Sequence, residues 1–212
     1  MTTTSVETAE YIVRSAAEEA IANEEYFGDL DSVVGDGDFG YSLARGFEVV
    51  LSQGDAYDRT DAGTFLTGVA MTITSRIGGT SGPLWGTAFL RAGTRLKGVD
   101  PVERADVIAA LRSSVEGIKK RGGAELGEKT LLDALVPAID TLEESFAAGD
   151  SDKVAVTKMA ATARTAAEAT IELEAKRGRA AYTGTRSIGS VDAGAIGVAV
   201  LLERIARDWP ES

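Results

Sequence analysis

Gly28-Asp29-Leu30-Asp31-Ser32-Val33-Val34-Gly35-Asp36-Gly37-Asp38-Phe39-Gly40 is the stretch around which the chain is organised. It sets four carboxylates and four glycines between two segments of helical periodicity. Crowded carboxylates repel one another unless something positive sits among them. Glycine lets the backbone turn sharply and approach a ligand. A hard cation held by oxygen ligands answers both facts, and magnesium beside phosphate is the usual biological case. The competing reading is a solvated acidic turn, because Asp and Gly also dominate ordinary turns.

Outward from this stretch, apolar residues recur at helical spacing and no strand alternation stands out. The spacing predicts eight helices. The first starts at Thr4, with Glu7 completing a capping box, and ends near Phe27-Gly28. The second runs from about Tyr41 to Leu51, the third is capped near Asp61 and holds Leu66, Val69, Ile73 and Ile77, and the fourth carries Leu84 to Leu96. The fifth begins at Asp100-Pro101-Val102-Glu103, read as an N-cap, a proline in the first turn and an early acid. The sixth holds Leu132 to Phe146, with a kink expected at Pro137. The seventh, rich in alanine, covers about Asp152 to Lys176, and the eighth about Ala193 to Trp209.

Of the seven connections, the odd-numbered ones are chemically unusual. They are the acidic stretch, Gly78-Gly79-Thr80-Ser81-Gly82-Pro83, Arg121 to Lys129, and Arg177 to Asp192. The even-numbered ones read as ordinary spacers. If consecutive helices are antiparallel, as in bundles with short links, all four unusual connections lie at one end and share one site. The expectation is an all-α antiparallel up-and-down bundle forming one domain over residues 1–212.

Composition narrows the chemistry. Lys plus Arg number 22 and Asp plus Glu 33, so the net charge is −11. This argues against a nucleic-acid partner, which needs a basic face, and against an anionic membrane surface. Hydrophobic residues make up 44 % of the 212 positions, enough for a sizeable core. With neither cysteine nor histidine, a general base has to be Asp, Glu, Lys or Tyr, and a metal site has to be built from oxygen. No apolar run is long enough to span a bilayer. Met1-Thr2-Thr3-Thr4-Ser5-Val6-Glu7 has no basic segment followed by an apolar one, so the chain is expected to be cytoplasmic without a signal peptide.

The converging connections would bring together Asp29, Asp31, Asp36 and Asp38, the glycines with Thr80 and Ser81, and Arg179 and Arg186. Backbone N–H groups ahead of a helix suit phosphate, and arginine neutralises phosphate oxygens. Together they suggest a magnesium–nucleotide site. Each piece has a plainer reading. Gly78-Gly79 and Gly122-Gly123 serve equally as helix C-caps, Arg179 and Arg186 as surface ion-pair partners, and Asp192 as the N-cap of the last helix. Trp85 and Trp209 read as core or interface residues, and Lys119-Lys120-Arg121 as a solvated helix end. Gly122 to Thr130 is nearly a P-loop, but Glu128 intervenes before Lys129 and a helix precedes it, so that reading is rejected.

Three separated motifs in order resemble the nucleotide-binding L subunit of dihydroxyacetone kinases, the DhaL family. They are Asp31 with Gly35-Asp36-Gly37-Asp38, Gly78 to Thr87, and Gly178-Arg179-Ala180-Ala181-Tyr182 through Arg186-Ser187-Ile188-Gly189. The resemblance implies an eight-helix antiparallel barrel with ADP or ATP and two Mg2+ ions at one end. It implies Asp31, Asp36 and Asp38 as metal ligands. It implies a nucleotide lined by Phe39, Gly40, Tyr41, Ser42, Gly79, Thr80, Ser81, Gly122, Leu131, Arg179, Asp192, Ala193 and Gly194. Asp31, Asp36, Asp38 and Arg179 would carry catalysis. The family also implies a separate K subunit that binds the ketose. The phosphoryl group comes either from exchangeable ATP or from a phosphotransferase-system protein acting on permanently bound ADP, and the resemblance leaves both open, as it does a homodimer. A non-catalytic nucleotide-binding regulator is the rival reading. The chain departs from the family pattern at Phe39, where histidine is usual, and at Ser190 and Ala193, where His and Pro are usual. These departures suggest a subfamily acting on a related ketose such as erythrulose.

Overall fold

A computed structural model describes residues 4–210. Met1, Thr2 and Thr3, with the last two positions and hence the outer limits of the 1–212 domain expectation, lie outside the described residues. Among the described residues there are nine α-helices and no strand. They are α1 (Ser5–Ala22), α2 (Glu24–Ser32), α3 (Phe39–Ser52), α4 (Ala62–Arg76), α5 (Ser81–Leu96), α6 (Arg104–Gly122), α7 (Leu132–Ala147), α8 (Asp152–Ala169) and α9 (Ala193–Arg207). Eight of them close a ring. α1 packs on α3, each helix from α3 to α8 packs on the next, and α9 packs on both α8 and α1. The ninth, α2, lies against α3 and α9. The all-α expectation therefore holds, and the helix count rises by one because the first helix is broken.

The break sits at Asn23. Its N–H donates to Glu19 and Ile21 carbonyls and closes α1, and Glu24 and Glu25 open α2 with charges suited to a helix N-terminus. Contrary to the expectation from sequence, Gly28 does not end the helix. It lies within α2 because α3 is pressed against it: a Cβ on Gly40 would sit 1.9 Å from the Glu24 carbonyl and 2.6 Å from the Gly28 nitrogen. Asp29 and Asp31 are thus helical, and the acidic loop shrinks to Val33–Asp38.

Other boundaries move for local reasons. α3 starts at Phe39 rather than Tyr41. α5 starts at Ser81, so Pro83 lies in its first turn, where its missing N–H costs nothing. The fifth expected helix begins at Arg104 rather than Pro101, because Glu103 and Asp106 form a capping box. α7 runs through Pro137. α8 stops at Ala169 rather than Lys176. The chain then tightens into a 3₁₀ turn, Thr170–Glu172, whose buried Thr170 hydroxyl accepts from the Asp192 N–H at 2.8 Å. Further 3₁₀ turns over Arg179–Ser187, interrupted by a bend at Gly184, fold the long connection that sequence left irregular, and α9 ends at Arg207 rather than Trp209. The expected caps at Thr4, Asp61 and Asp192 all accept from backbone N–H groups.

The ring is filled by apolar faces. Phe27, Leu43, Phe47, Val69, Ile73, Leu132 and Ile139 are fully buried. α8 contributes mostly small side chains, Ala155, Ala160, Ala163 and Ala167, which let α7 and α9 approach closely. No described helix is long and apolar enough to cross a membrane.

The ring has two distinct ends. At one, Val102 N–H donates to Ser5 Oγ at 3.0 Å, Arg59 pairs with Glu10, Arg104 with Asp152 at 2.7 Å, and the Lys153 ammonium donates to the Ala206 carbonyl at 2.7 Å. The start of α1, the even-numbered connections and the end of α9 are therefore together. The four unusual connections meet at the other end, as the alternation of helix direction requires.

Candidate functional site

A cavity of about 490 Å³ opens at that second end, within the range of small-molecule sites. Its walls come from all four unusual connections. Leu30, Asp31, Val34, Asp36, Asp38 and Phe39 come from the first, and Gly78, Gly79, Thr80 and Ser81 from the second. Gly122, Lys129, Thr130 and Leu131 come from the third, and Arg177 to Ala180 with Val191 to Gly194 from the fourth.

The acidic corner is built by the glycines between its carboxylates. Gly37 has φ +75°, a left-handed conformation that turns the chain back toward α2. Its N–H donates to Asp31 Oδ2 at 2.9 Å. A Cβ on Gly35 would lie 2.2 Å from Asp31 Oδ1, so the Asp31 carboxylate fills the space that any larger residue there would take. Carboxylate oxygens of Asp31, Asp36 and Asp38 lie within 4.8 Å of one another. Asp29, two residues earlier on α2 and so on a different face, is exposed and stays outside this group. The Arg179 guanidinium pairs with Asp36 and lies 3.7 Å from Asp38. One guanidinium against three carboxylates leaves a negative, all-oxygen corner whose donor spacing fits a hard divalent cation.

Opposite it, α5 presents its N-terminus. α4 closes at Ile77 and Gly79 turns left-handed at φ +63°. The first N–H groups of α5 have no partner within the helix and favour an anion. A Cβ on Gly82 would come within 2.1 Å of the Ile77 carbonyl, so the turn is as tight as the backbone allows. Pro83, Leu84 and Trp85 continue this wall and, with Ile118 and Leu132, give the cavity an apolar side. Trp85 packs against the hydrophobic core, as expected from sequence, and also lines the cavity. The available signal for its place in the wall was its position just past the first turn of a helix whose N-terminus faces the site.

The plainer readings are also true of several residues. Gly123, at φ +60°, caps α6 by donating to the Lys119 carbonyl, while Gly122 beside it still lines the cavity. Asp192 caps α9, accepting from the Ala195 N–H at 2.7 Å, and its carboxyl faces the cavity. Desolvation pushes that carboxyl up to about 7, and the negative charges of Asp133 and Asp31 act in the same direction, against the Ala195 hydrogen bond and Lys129.

Of the expected nucleotide-lining residues, Phe39, Gly79, Thr80, Ser81, Gly122, Leu131, Arg179, Asp192, Ala193 and Gly194 are brought together. Gly40, Tyr41 and Ser42 are not. Gly40 is consumed by the α2–α3 contact, and Tyr41 is exposed beneath the Arg45 guanidinium. Phe39 is almost wholly buried, its ring 5.8 Å from that of Phe27 and against Gly197, so it joins the cavity wall to the core. Arg186 is exposed and outside the cavity. Sequence reading missed Arg177, which pairs through two nitrogens with Glu128 at 2.7 and 2.9 Å, and Lys129, which is buried.

The DAK2 domain profile matches residues 33–207. The chain is 37 % identical over 182 residues to the PEP-dependent dihydroxyacetone kinase, ADP-binding subunit DhaL, of Escherichia coli K12, covering 86 % of this chain and 87 % of that one. It is 36 % identical over 185 residues to the L-erythrulose 1-kinase of Mycolicibacterium smegmatis, covering 86 % of this chain but 32 % of that protein. Its fold is similar to the crystal structure of the C. freundii dihydroxyacetone kinase in complex with AMP-PNP and Mg2+, with a TM-score of 0.76 and 25 % identity. That match takes in 94 % of this chain and 33 % of the C. freundii chain, so this protein spans about a third of that enzyme. Motif order, helical ring and sequence similarity agree: the chain belongs to the DAK2-domain family, with the DhaL subunits of dihydroxyacetone kinases.

Proposed function

We propose that this protein is the nucleotide-bearing subunit of a cytoplasmic ketose kinase, and that it passes a phosphoryl group to a ketose held by a separate partner subunit. The observation that carries the reading is the convergence of Asp31, Asp36, Asp38 and Arg179 with the N-terminus of α5 around one cavity. Asp31, Asp36 and Asp38 would hold magnesium, which when bound neutralises phosphate charge. The α5 N–H groups and Thr80 and Ser81 would take phosphate oxygens, and Arg179 would leave its carboxylates to steady charge developing on the transferred group. The wall of Pro83, Leu84, Trp85 and Ile118 suits the flat face of a base. The whole chain would act as one such domain.

The E. coli relative is named as a subunit and is matched along most of its length. A ketose larger than dihydroxyacetone is supported by the erythrulose kinase relatives and by Phe39, whose buried ring fixes the wall shape where the family usually carries histidine. For the phosphoryl donor, relatives named as PEP- or PTS-dependent favour resident ADP over exchangeable ATP.

The test is thermal melting of the purified chain with ADP or ATP, with and without magnesium. A ligand that binds only the folded state raises the melting temperature by mass action. The expected result is a shift that requires both nucleotide and magnesium. If no shift occurs, mass spectrometry of the denatured protein decides: released ADP supports a resident cofactor, and no nucleotide at all overturns the reading.

A further inference from the structure

Lys129 is the one residue with a side chain that takes a left-handed backbone conformation among the described residues, at φ 61°. A β-carbon makes that conformation unfavourable, so the surroundings must hold it there. They do so through the ammonium group. Lys129 is 3 % exposed, and its Nζ donates to the carbonyls of Leu173 at 3.0 Å, Ser187 at 2.5 Å and Ser190 at 2.6 Å. All three ammonium protons are matched, and the acceptors bracket the segment that carries Arg179. Neighbouring bonds run the same way. Glu128 pairs with Arg177, its carbonyl accepts from the Lys176 N–H at 3.0 Å, and buried Ser187 Oγ accepts from the Ala175 N–H at 2.9 Å.

We propose that Lys129 is a positioning residue: it ties the α6–α7 connection to the α8–α9 connection and thereby holds Arg179 over the acidic corner. The Arg179–Ser187 segment has few other anchors. Tyr182 within it is 92 % exposed, and Gly178 and Gly184, which bend the chain at either side, carry no side chain to pack. Without the ammonium, the Leu173 and Ser190 carbonyls lose their donor and the Ser187 carbonyl keeps only the Ser190 hydroxyl at 2.9 Å, so the segment gains freedom to swing away from Asp36 and Asp38. A lysine does this where arginine would not, because three carbonyls converge on one point and a compact ammonium meets them all.

The proposal rests on the nucleotide reading for its functional consequence but not for its structural one, and two measurements separate them. Hydrogen exchange on the nucleotide-free protein compares wild type with Lys129→Met. The expected result is faster exchange in residues 173–190 with the protection of α3 to α6 unchanged. Unchanged exchange in 173–190 overturns the proposal. ADP affinity in the presence of magnesium is then measured for wild type, Lys129→Met, Arg179→Ala and the double variant. If Lys129 acts through Arg179, the first substitution weakens binding by roughly tenfold and adds little once Arg179 is gone, since coupled residues are non-additive. Losses that multiply in the double variant overturn the positioning role. If wild type binds no ADP at all, the nucleotide reading fails, and the exchange result alone then decides whether Lys129 anchors the segment. Should Lys129→Met fail to fold, Lys129→Arg enters both assays, with the same direction expected, and wild-type behaviour in it counts against the proposal.

Discussion

The two ends of the helical ring are made from the same kinds of residue and solve opposite problems. At the end that holds the start of α1, opposite charges meet within the protein: Arg59 with Glu10, Arg104 with Asp152, Lys158 with Asp150. Its connections are short caps and spacers, and Lys153 closes the carbonyl end of α9. At the other end, three carboxylates crowd together with one arginine that reaches two of them, the α5 N-terminus opens into a cavity, and Asp192 is held with its carboxyl pushed up to about 7. An end optimised for folding alone would resemble the first. The second keeps like charges together, an arrangement that raises the free energy of the protein by itself and becomes favourable with a bound cation and phosphate.

The largest expected effect breaks this contrast directly. In Asp36→Ala one of the three carboxylates is gone and Arg179 loses its nearer partner. Far-UV circular dichroism should show the helices intact, and the melting temperature without ligand should stay or rise, because repulsion is relieved. Stabilisation by ADP with magnesium should vanish. At a ligand concentration a hundred times the wild-type dissociation constant, a hundredfold weaker affinity lowers the ligand stabilisation from about 2.7 to about 0.4 kcal/mol. A variant that keeps the ligand shift would remove the acidic corner from the site.

How much of this was legible in the sequence differs between the two ends and between levels of structure. The alternation of plain and unusual connections survives any error of a few residues in helix boundaries, so the convergence of four segments was readable from composition alone. Caps at Thr4, Asp61 and Asp192 were readable because they are local: a side chain meets an N–H three residues on. The break at Asn23 and the helical state of Gly28 to Ser32 were not readable, because they depend on Gly40 pressing α3 against α2. The packing role of Gly40 was hidden for the same reason, since a glycine needed for helix packing and one needed for ligand approach are identical in sequence. Lys129 was invisible for a different reason. Its acceptors lie 44, 58 and 61 residues away, and nothing near it in the chain announces burial. It fell inside a rejected P-loop, and the rejection hid a lysine that bonds backbone instead of phosphate.

A smaller effect sharpens the comparison by pH. The Asp192 carboxyl titrates near 7 in the folded protein and near 3.9 when unfolded. Between these values the folded state binds more protons, so this group's contribution is complete below about pH 4, declines as pH rises, and is gone above about 7. Asp192→Asn keeps an N-cap acceptor and abolishes the titration. Without ligand, the variant should be more stable than wild type at pH 7.5 and lose that advantage toward pH 4. Asp192 is partly rather than wholly buried as a residue, and the gain is expected to be on the order of 1 kcal/mol. Urea denaturation of both proteins across this range measures the difference, in which the other carboxylates cancel. Equal stability at every pH would mean that the cavity end stores no unfavourable charge at this position.

The smallest effect belongs to the opposite end and serves as its measure. Arg104 pairs with Asp152 at 2.7 Å and lies 4.7 Å from the Phe146 ring centroid, with roughly two-fifths of each charged side chain exposed. Arg104→Met deletes the charge and keeps an apolar arm against the ring. Exposed pairs contribute little because water screens them and ordering two long side chains opposes the attraction. The expected loss is about 0.5 kcal/mol in urea denaturation, shrinking further in high salt, with the response to ADP and magnesium unchanged. If the loss reached several kcal/mol, the pairs at this end would have to be counted as structural staples. If the ligand response changed instead, the two ends would be coupled through α6 and α7, and the division between a folding end and a binding end would no longer hold.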